Sequence, residues 1–71
     1  SEGIDFDEME ILSNSKIDKI EDSEYLKSSI FEKESNQYIY RLSFENRDQL
    51  NNFKKEIEEN DQIKKIDVTY I

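Results

Sequence analysis

The stretch that decides the fold runs from residue 38 to residue 70 and reads YIYRLSFENRDQLNNFKKEIEENDQIKKIDVTY. In its first seven residues every second side chain is bulky and apolar or aromatic: Tyr38, Tyr40, Leu42 and Phe44. Its last residues alternate in the same way, with Ile66, Val68 and Tyr70 on one side. A period of two is typical of a strand that is buried on one face. The stretch is therefore expected to begin and end in half-buried strands.

Between the two strands the period changes to that of a helix. Leu50, Phe53 and Ile57 recur on one face, and charged side chains occupy the others, which predicts an amphipathic helix over residues 47 to 59. Asn46 is a good N-cap, because its side chain can accept a hydrogen bond from the first turn. Asn60 suits the helix end, since asparagine tolerates the left-handed conformation found there.

A helix of this length between two strands favours a right-handed crossover that joins parallel strands. The helix is expected to cover the bulky face of both strands, and the final strand is expected to be an edge. Upstream, the pattern over residues 25 to 33 fits either a helix or a strand. We favour a strand, because the polar residues 34 to 37 form a short turn that would make a hairpin with the Tyr38 strand.

The first 24 residues leave more than one interpretation open. Ile4 and Phe6 fit the start of a strand, whereas Phe6, Met9 and Leu12 lie at helical spacing. We favour a short acidic helix over Asp7 to Asn14, with Asp5 or Asp7 as N-cap. The apolar residues that follow, Ile17 and Ile20, are then expected to lead into the next strand.

The 71 residues fit one small domain, and the first residues, Ser-Glu-Gly, suggest that it is a piece of a longer protein. The net charge is -8, and residues 1 to 24 carry -7 of it. Such a surface repels the phosphates of nucleic acids and anionic membranes. We therefore expect no direct contact with either, and we expect a cytoplasmic location, since no run of about 20 apolar residues is present.

The composition also bears on catalysis. The chain has no His and no Cys, so the common general bases, thiolate nucleophiles and soft metal ligands are missing. The carboxylates lack the spacing and the glycine of a calcium-binding loop. We expect neither an enzyme nor a cofactor or metal site.

Tyr38 and Tyr40 could instead form an aromatic platform for stacked bases, as on RNA-binding sheets. Because their face continues into Leu42 and Phe44, we interpret Tyr40 as a core residue with its hydroxyl at the edge.

Two sets of residues remain as candidates for an interaction with another protein. The first is the acidic cluster of Asp5, Asp7, Glu8 and Glu10, which is expected to be solvated. The second comprises Ile39, Arg41 and Ile71, which the alternation places on the sheet face that the helix does not cover. Uncovered apolar faces and sheet edges are where small sheets pair with other chains.

The run from Tyr38 to Tyr70 resembles the second half of ACT-like regulatory domains. In that half, a hydrophobic strand is followed by a polar turn, a helix and a closing strand. Spaced apolar residues lead into the closing strand, and here they are Ile63, Ile66 and Val68. Such domains occur in regulatory metabolic enzymes and at the end of membrane proteins of the MgtC/SapB type. The resemblance implies a small ferredoxin-like α+β sheet with one or two helices on one face. It implies no ligand-binding residue, because the only glycine is Gly3.

Two functions are compatible with these features. One is a non-catalytic accessory or regulatory domain of a larger protein, acting by sensing or by forming a homodimer through its sheet; the resemblance to MgtC/SapB-type proteins implies that the larger protein can be membrane-bound. The other is a free-standing acidic inhibitor whose carboxylates imitate nucleic-acid phosphates and occupy a basic partner. The second requires an ordered, helical acidic segment at the start of the chain.

Overall fold

The computed structural model describes residues 6 to 71, and within them it has four strands and two helices. In chain order these are β1 (Asp7–Ser13), α1 (Asp18–Glu21), β2 (Leu26–Glu32), β3 (Gln37–Phe44), α2 (Arg47–Ile57) and β4 (Ile63–Thr69). The strands form one sheet in the order β2-β3-β1-β4, and all neighbouring strands are antiparallel. The predicted α+β class is confirmed.

The strand, helix and strand predicted from the second half of the chain are present. β3 and β4 both run antiparallel to β1, so they are parallel to each other, but β1 lies between them. The Asn46 side chain accepts a hydrogen bond of 2.9 Å from the Gln49 N–H, as expected of an N-cap. The helix ends at Ile57, two residues before the predicted end.

The predicted hairpin is also present. β2 and β3 pair from Leu26 with Leu42 to Glu32 with Gln37, and residues 33 to 36 form the turn. Asn36 takes a positive φ of 58°, a conformation that asparagine adopts more readily than most residues. The strand interpretation of this ambiguous segment is therefore confirmed.

The predicted acidic helix over Asp7 to Asn14 is wrong, because these residues form β1 in the middle of the sheet. Buried and partly exposed side chains alternate along the whole strand. Asp7 is thus a buried strand residue and not an N-cap. Asp5, the alternative cap, lies outside the described residues.

The segment after β1 also differs from its prediction. Ile17 and Ile20 do not extend into β2 but belong to the single turn α1, where Ile17 is the residue before the first turn. Both side chains are buried, and Ile20 is fully so. Their spacing of three residues puts them on one side of the turn, facing the sheet.

The core lies between the sheet and the two helices. It contains side chains from every element except β2 and β4, which contribute partly buried residues. Three aromatic rings meet at one end, with Tyr25 4.6 Å from Phe44 and 5.5 Å from Phe53 between ring centroids. Both helices pack on the same face, so no helix of residues 6 to 71 lies over the other face of the sheet.

Candidate functional site

The face of the sheet opposite the helices is the candidate site, and we call it the open face. The strand register groups its side chains into rows that run across the strands. Three rows contain Glu8, Glu10, Leu12, Ser28, Ile30, Ile39, Arg41, Ser43, Lys65, Asp67 and Thr69, and a further pair at one end consists of Glu32 and Gln37. Two of these, Ile39 and Arg41, were predicted to lie here, and the acidic cluster contributes Glu8 and Glu10.

The middle row of the open face is charged. Glu10 of β1 pairs in register with Arg41 on one side and with Asp67 on the other. The Arg41 Nε lies 3.1 Å from Glu10 Oε2, and the Lys65 Nζ lies 3.5 Å from Asp67 Oδ2. Two carboxylates directly opposite each other repel, and the two cations offset this repulsion. Three of the four side chains are more than half exposed and Glu10 is 43% exposed, so the pairs contribute little to stability in the free domain.

The next row is apolar over three strands. Leu12 of β1 pairs with Ile39 of β3, and Ile39 pairs with Ile30 of β2. Ile30 is 55% exposed, and the other two are partly exposed. Lys65 continues the row on β4, and a small depression of about 170 Å³ lies beside it. The row therefore offers apolar surface that no other part of the described chain covers.

The third row is polar. Glu8 lies between Ser43 of β3 and Thr69 of β4. A wide, shallow depression of about 690 Å³ extends over this row and the charged row. Its walls are strand residues only, and it is an open depression rather than an enclosed pocket.

Asp7 lies on the opposite side of the sheet, in an ion pair whose carboxylate is buried and whose guanidinium is about half exposed. Its carboxylate accepts hydrogen bonds from the Arg47 Nε at 2.9 Å and from the Ile71 N–H at 3.0 Å, and only 3% of the residue is exposed. The Arg47 guanidinium stacks 3.9 Å above the Tyr70 ring centroid. We call these four residues the clamp, because they tie residues 70 and 71 to β1 and α2.

The clamp also sets the protonation of its members. The hydrogen bond from Arg47, followed by that from the Ile71 N–H, lowers the pKa of Asp7 below its usual value of 3.8. The same bond raises the pKa of Arg47. Asp7 is therefore a structural anion and not a solvated one as the sequence suggested. The Ile71 side chain is 63% exposed, but it follows β4 and is not part of the rows.

The tyrosines of β3 lie on the helix-covered side. Tyr40 is fully buried, which confirms it as a core residue. Its hydroxyl donates to Glu21 Oε2 at 2.7 Å and accepts from the Ile17 N–H at 3.1 Å. Burial, together with the hydrogen bond to Glu21, raises the pKa of Tyr40 to about 12. Tyr38 is half-buried on the same side, so neither ring is on the open face.

Sequence reasoning missed part of the open face. Leu12 was assigned to a helix, and Ile30, Lys65 and Asp67 were not singled out. The signal for Lys65 and Asp67 was available, since they alternate with Ile66 and Val68. No pattern in the sequence indicates the row that contains Leu12, because that row depends on which strands are neighbours in the sheet.

Within residues 6 to 71 no group of three or more His, Cys, Asp or Glu side chains is placed to hold a metal ion. No helix in this part of the chain is long and apolar enough to cross a membrane. Comparisons of the chain with family models, with characterised proteins and with solved structures found no match.

Proposed function

We propose that this chain is a non-catalytic accessory domain of a larger cytoplasmic protein and that it acts by self-association through the open face of its sheet. The observation that carries the proposal is the apolar row of Leu12, Ile39 and Ile30, which no element of the described part of the chain covers. Apolar surface gains about 25 cal/mol for each Å² removed from water. A second protein surface on this row would provide that gain.

The order of the elements supports a ferredoxin-like arrangement, as the resemblance to ACT-like domains implies. In that arrangement two β-α-β units interlock, with the first and third strands at the centre. The order β2-β3-β1-β4 and the position of β1 between β3 and β4 are compatible with it. One face of such a sheet is free to bind, and regulatory function would reside there.

A binding role also suits the chemistry of the open face. General acid or base catalysis needs a group whose pKa is moved towards the working pH by burial or by a close partner. The open-face carboxylates Glu8, Glu10 and Asp67 are partly or largely exposed, and two of them are already paired with cations. These groups are better suited to electrostatic complementarity with a partner than to proton transfer.

The alternative of a phosphate-mimicking inhibitor has less support. It requires a helical array of carboxylates, whereas residues 7 to 13 form a strand. The strand places Glu8 and Glu10 on the open face and turns Asp7 into the interior. The three carboxylates therefore do not form one surface, and we do not propose this function.

Analytical ultracentrifugation over a range of concentrations tests the proposal. We expect the wild-type chain to associate as concentration rises and Ile39→Lys to remain a monomer, because a charge replaces the centre of the apolar row. Asn51→Lys is the control, since it adds the same charge at an exposed position of α2, which packs on the opposite side of the sheet. A wild-type chain that stays monomeric at millimolar concentration, with Ile39→Lys sedimenting identically, would refute the proposal.

A further inference from the structure

The charge pattern of the open face also determines how two copies fit together. We infer that the dimer packs open face on open face, with its two-fold axis parallel to the strands and midway between β1 and β3. This inference rests on the proposed self-association, and it adds the partner surface and the register. It follows from which side chains come into contact around this axis and around an axis across the strands.

An axis parallel to the strands reverses the strand order of the second copy. β1 then lies over the partner's β3, and β4 lies over the partner's β2, because the sheet order is β2-β3-β1-β4. The rows remain aligned, since this rotation leaves positions along the strands unchanged. Such packing also keeps the strands of the two sheets nearly aligned, which is the common way in which sheets pack face to face.

In this arrangement every open-face carboxylate in the three rows meets a hydrogen-bond donor. Glu10 lies over the partner's Arg41, and Arg41 over the partner's Glu10, which gives four charges of alternating sign around the axis. Glu8 lies over the partner's Ser43, and Asp67 over the partner's Ser28. These donors satisfy groups that would otherwise lose water without compensation.

The apolar row is covered at the same time. Leu12 lies over the partner's Ile39, and the converse pair forms on the other side of the axis. Lys65 lies over the partner's Ile30, where its aliphatic stem can pack while the ammonium reaches water at the edge. The interface therefore has the charged row in its middle, the apolar row on one side of it and the polar row on the other.

An axis across the strands gives poorer contacts. It places each strand over the same strand of the partner, so β1 faces the partner's β1. When it is centred on the charged row, Glu10 faces the partner's Glu10 and Arg41 faces the partner's Arg41. When it is centred on the apolar row, Lys65 faces the partner's Lys65, and Glu10 and Arg41 lose oppositely charged partners across the interface. Like charges at close range oppose association.

The size of the face sets the expected strength. Four strands about 4.8 Å apart and seven residues rising about 3.4 Å each give a footprint of about 19 by 24 Å, or about 460 Å². Stable interfaces bury about 800 Å² on each partner. The dimer is therefore weak, and tethering within a larger assembly would be needed to raise its population.

Single-cysteine cross-linking tests the axis, since the chain has no natural cysteine. Lys65→Cys and Ile30→Cys change exposed residues on the two edge strands. A bis-maleimide that spans the roughly 10 Å between packed sheets is suitable, because a disulfide needs Cα atoms within about 7 Å. Asn51→Cys, on the exposed side of α2, is the control and should give only background with either variant.

An equal mixture of the two variants should cross-link at least tenfold more than either variant alone. With the axis parallel to the strands, two Lys65 positions are separated sideways by three strand spacings, or about 14 Å. Efficient cross-linking of Lys65→Cys with itself would overturn the inference in favour of an axis across the strands. A dimer in solution that shows no cross-link above the control would also overturn it. A monomer in solution would instead refute the proposed function.

Charge reversal provides a second measurement. Arg41→Glu should weaken association at least tenfold, because Glu10 then faces a carboxylate across the interface. The double variant Glu10→Arg with Arg41→Glu should recover it, since the facing charges are again opposite. Lys55→Glu, which makes the same charge change on an exposed part of α2, should not alter association. Equal effects of Arg41→Glu and Lys55→Glu would contradict the inferred contact.

Discussion

Tyr40→Phe should destabilise the domain far more than the loss of one oxygen atom suggests. The Tyr40 hydroxyl bridges β3 to α1, since it donates to Glu21 and accepts from the Ile17 N–H. Ile17 is the N-cap residue of α1, and its own side chain makes no capping hydrogen bond. The hydroxyl therefore takes the place of a cap, and its removal leaves a buried N–H without a partner.

The expected magnitude follows from these two bonds. An unpaired donor in the interior costs about 1–3 kcal/mol, and a hydrogen bond to a charged group contributes about 1.5–3 kcal/mol. Glu21 is partly exposed and can be rehydrated, so we expect a total loss of about 2–4 kcal/mol. A domain of this size has about 4–11 kcal/mol of stability in total. The loss should lower the Tm by at least about 8 °C.

Urea unfolding followed by circular dichroism measures this loss. Tyr38→Phe is the matched control, because Tyr38 is on the same strand and face and its hydroxyl makes no hydrogen bond within residues 6 to 71. It should change the free energy of unfolding by no more than about 0.5 kcal/mol. Equal stabilities of the Tyr40→Phe and Tyr38→Phe variants would show that the bridge contributes nothing and would refute the reasoning.

Three further predictions concern the interior. The pKa of Tyr40 is raised from 10.0 to about 12, so the folded state binds the hydroxyl proton more tightly than the unfolded state does. The resulting contribution to the free energy of unfolding is present below pH 10 and is lost as the pH rises through 12. Alkaline unfolding of Tyr40→Phe should lack this pH-dependent contribution. The hydrogen bond from Arg47 lowers the pKa of Asp7, so the ionised carboxylate stabilises the fold above pH 3.8, and this stabilisation is lost as the pH falls further. Asp7→Asn should be less stable at neutral pH, and its Tm should fall less steeply as the pH is lowered through the acid range. Leu50→Ala, at a fully buried position of α2, should cost about 2–5 kcal/mol in urea unfolding, and a loss below about 1 kcal/mol would contradict the assigned core.

The second half of the chain could be predicted because its signals are local. Leu50, Phe53 and Ile57 are close in sequence, and the cap at Asn46 acts within one turn. The alternation in β3 and β4 needs no information about neighbouring strands. Such patterns follow from the geometry of one element, so the sequence alone indicated the elements and most of their boundaries.

β1 could not be predicted in the same way, because a distant partner determines its pattern. Asp7 occupies a buried position, which breaks the apolar alternation that marks a strand. It is tolerated there only because Arg47, 40 residues away, and the Ile71 N–H satisfy its oxygens. Without those partners, Asp7 looks like a helix N-cap, and Met9 and Leu12 then fall at helical spacing.

The same misassignment hid the candidate site. As a helix, the acidic segment would have been a charged surface separate from the sheet. As β1 it lies beside β3, and this brings Glu10 next to Arg41 and Leu12 next to Ile39. The open face therefore exists as rows of alternating chemistry only because β1 is central. If self-association depends on those rows, substitutions in the least predictable strand, at Glu10 and Leu12, should affect it as strongly as those at Arg41 and Ile39.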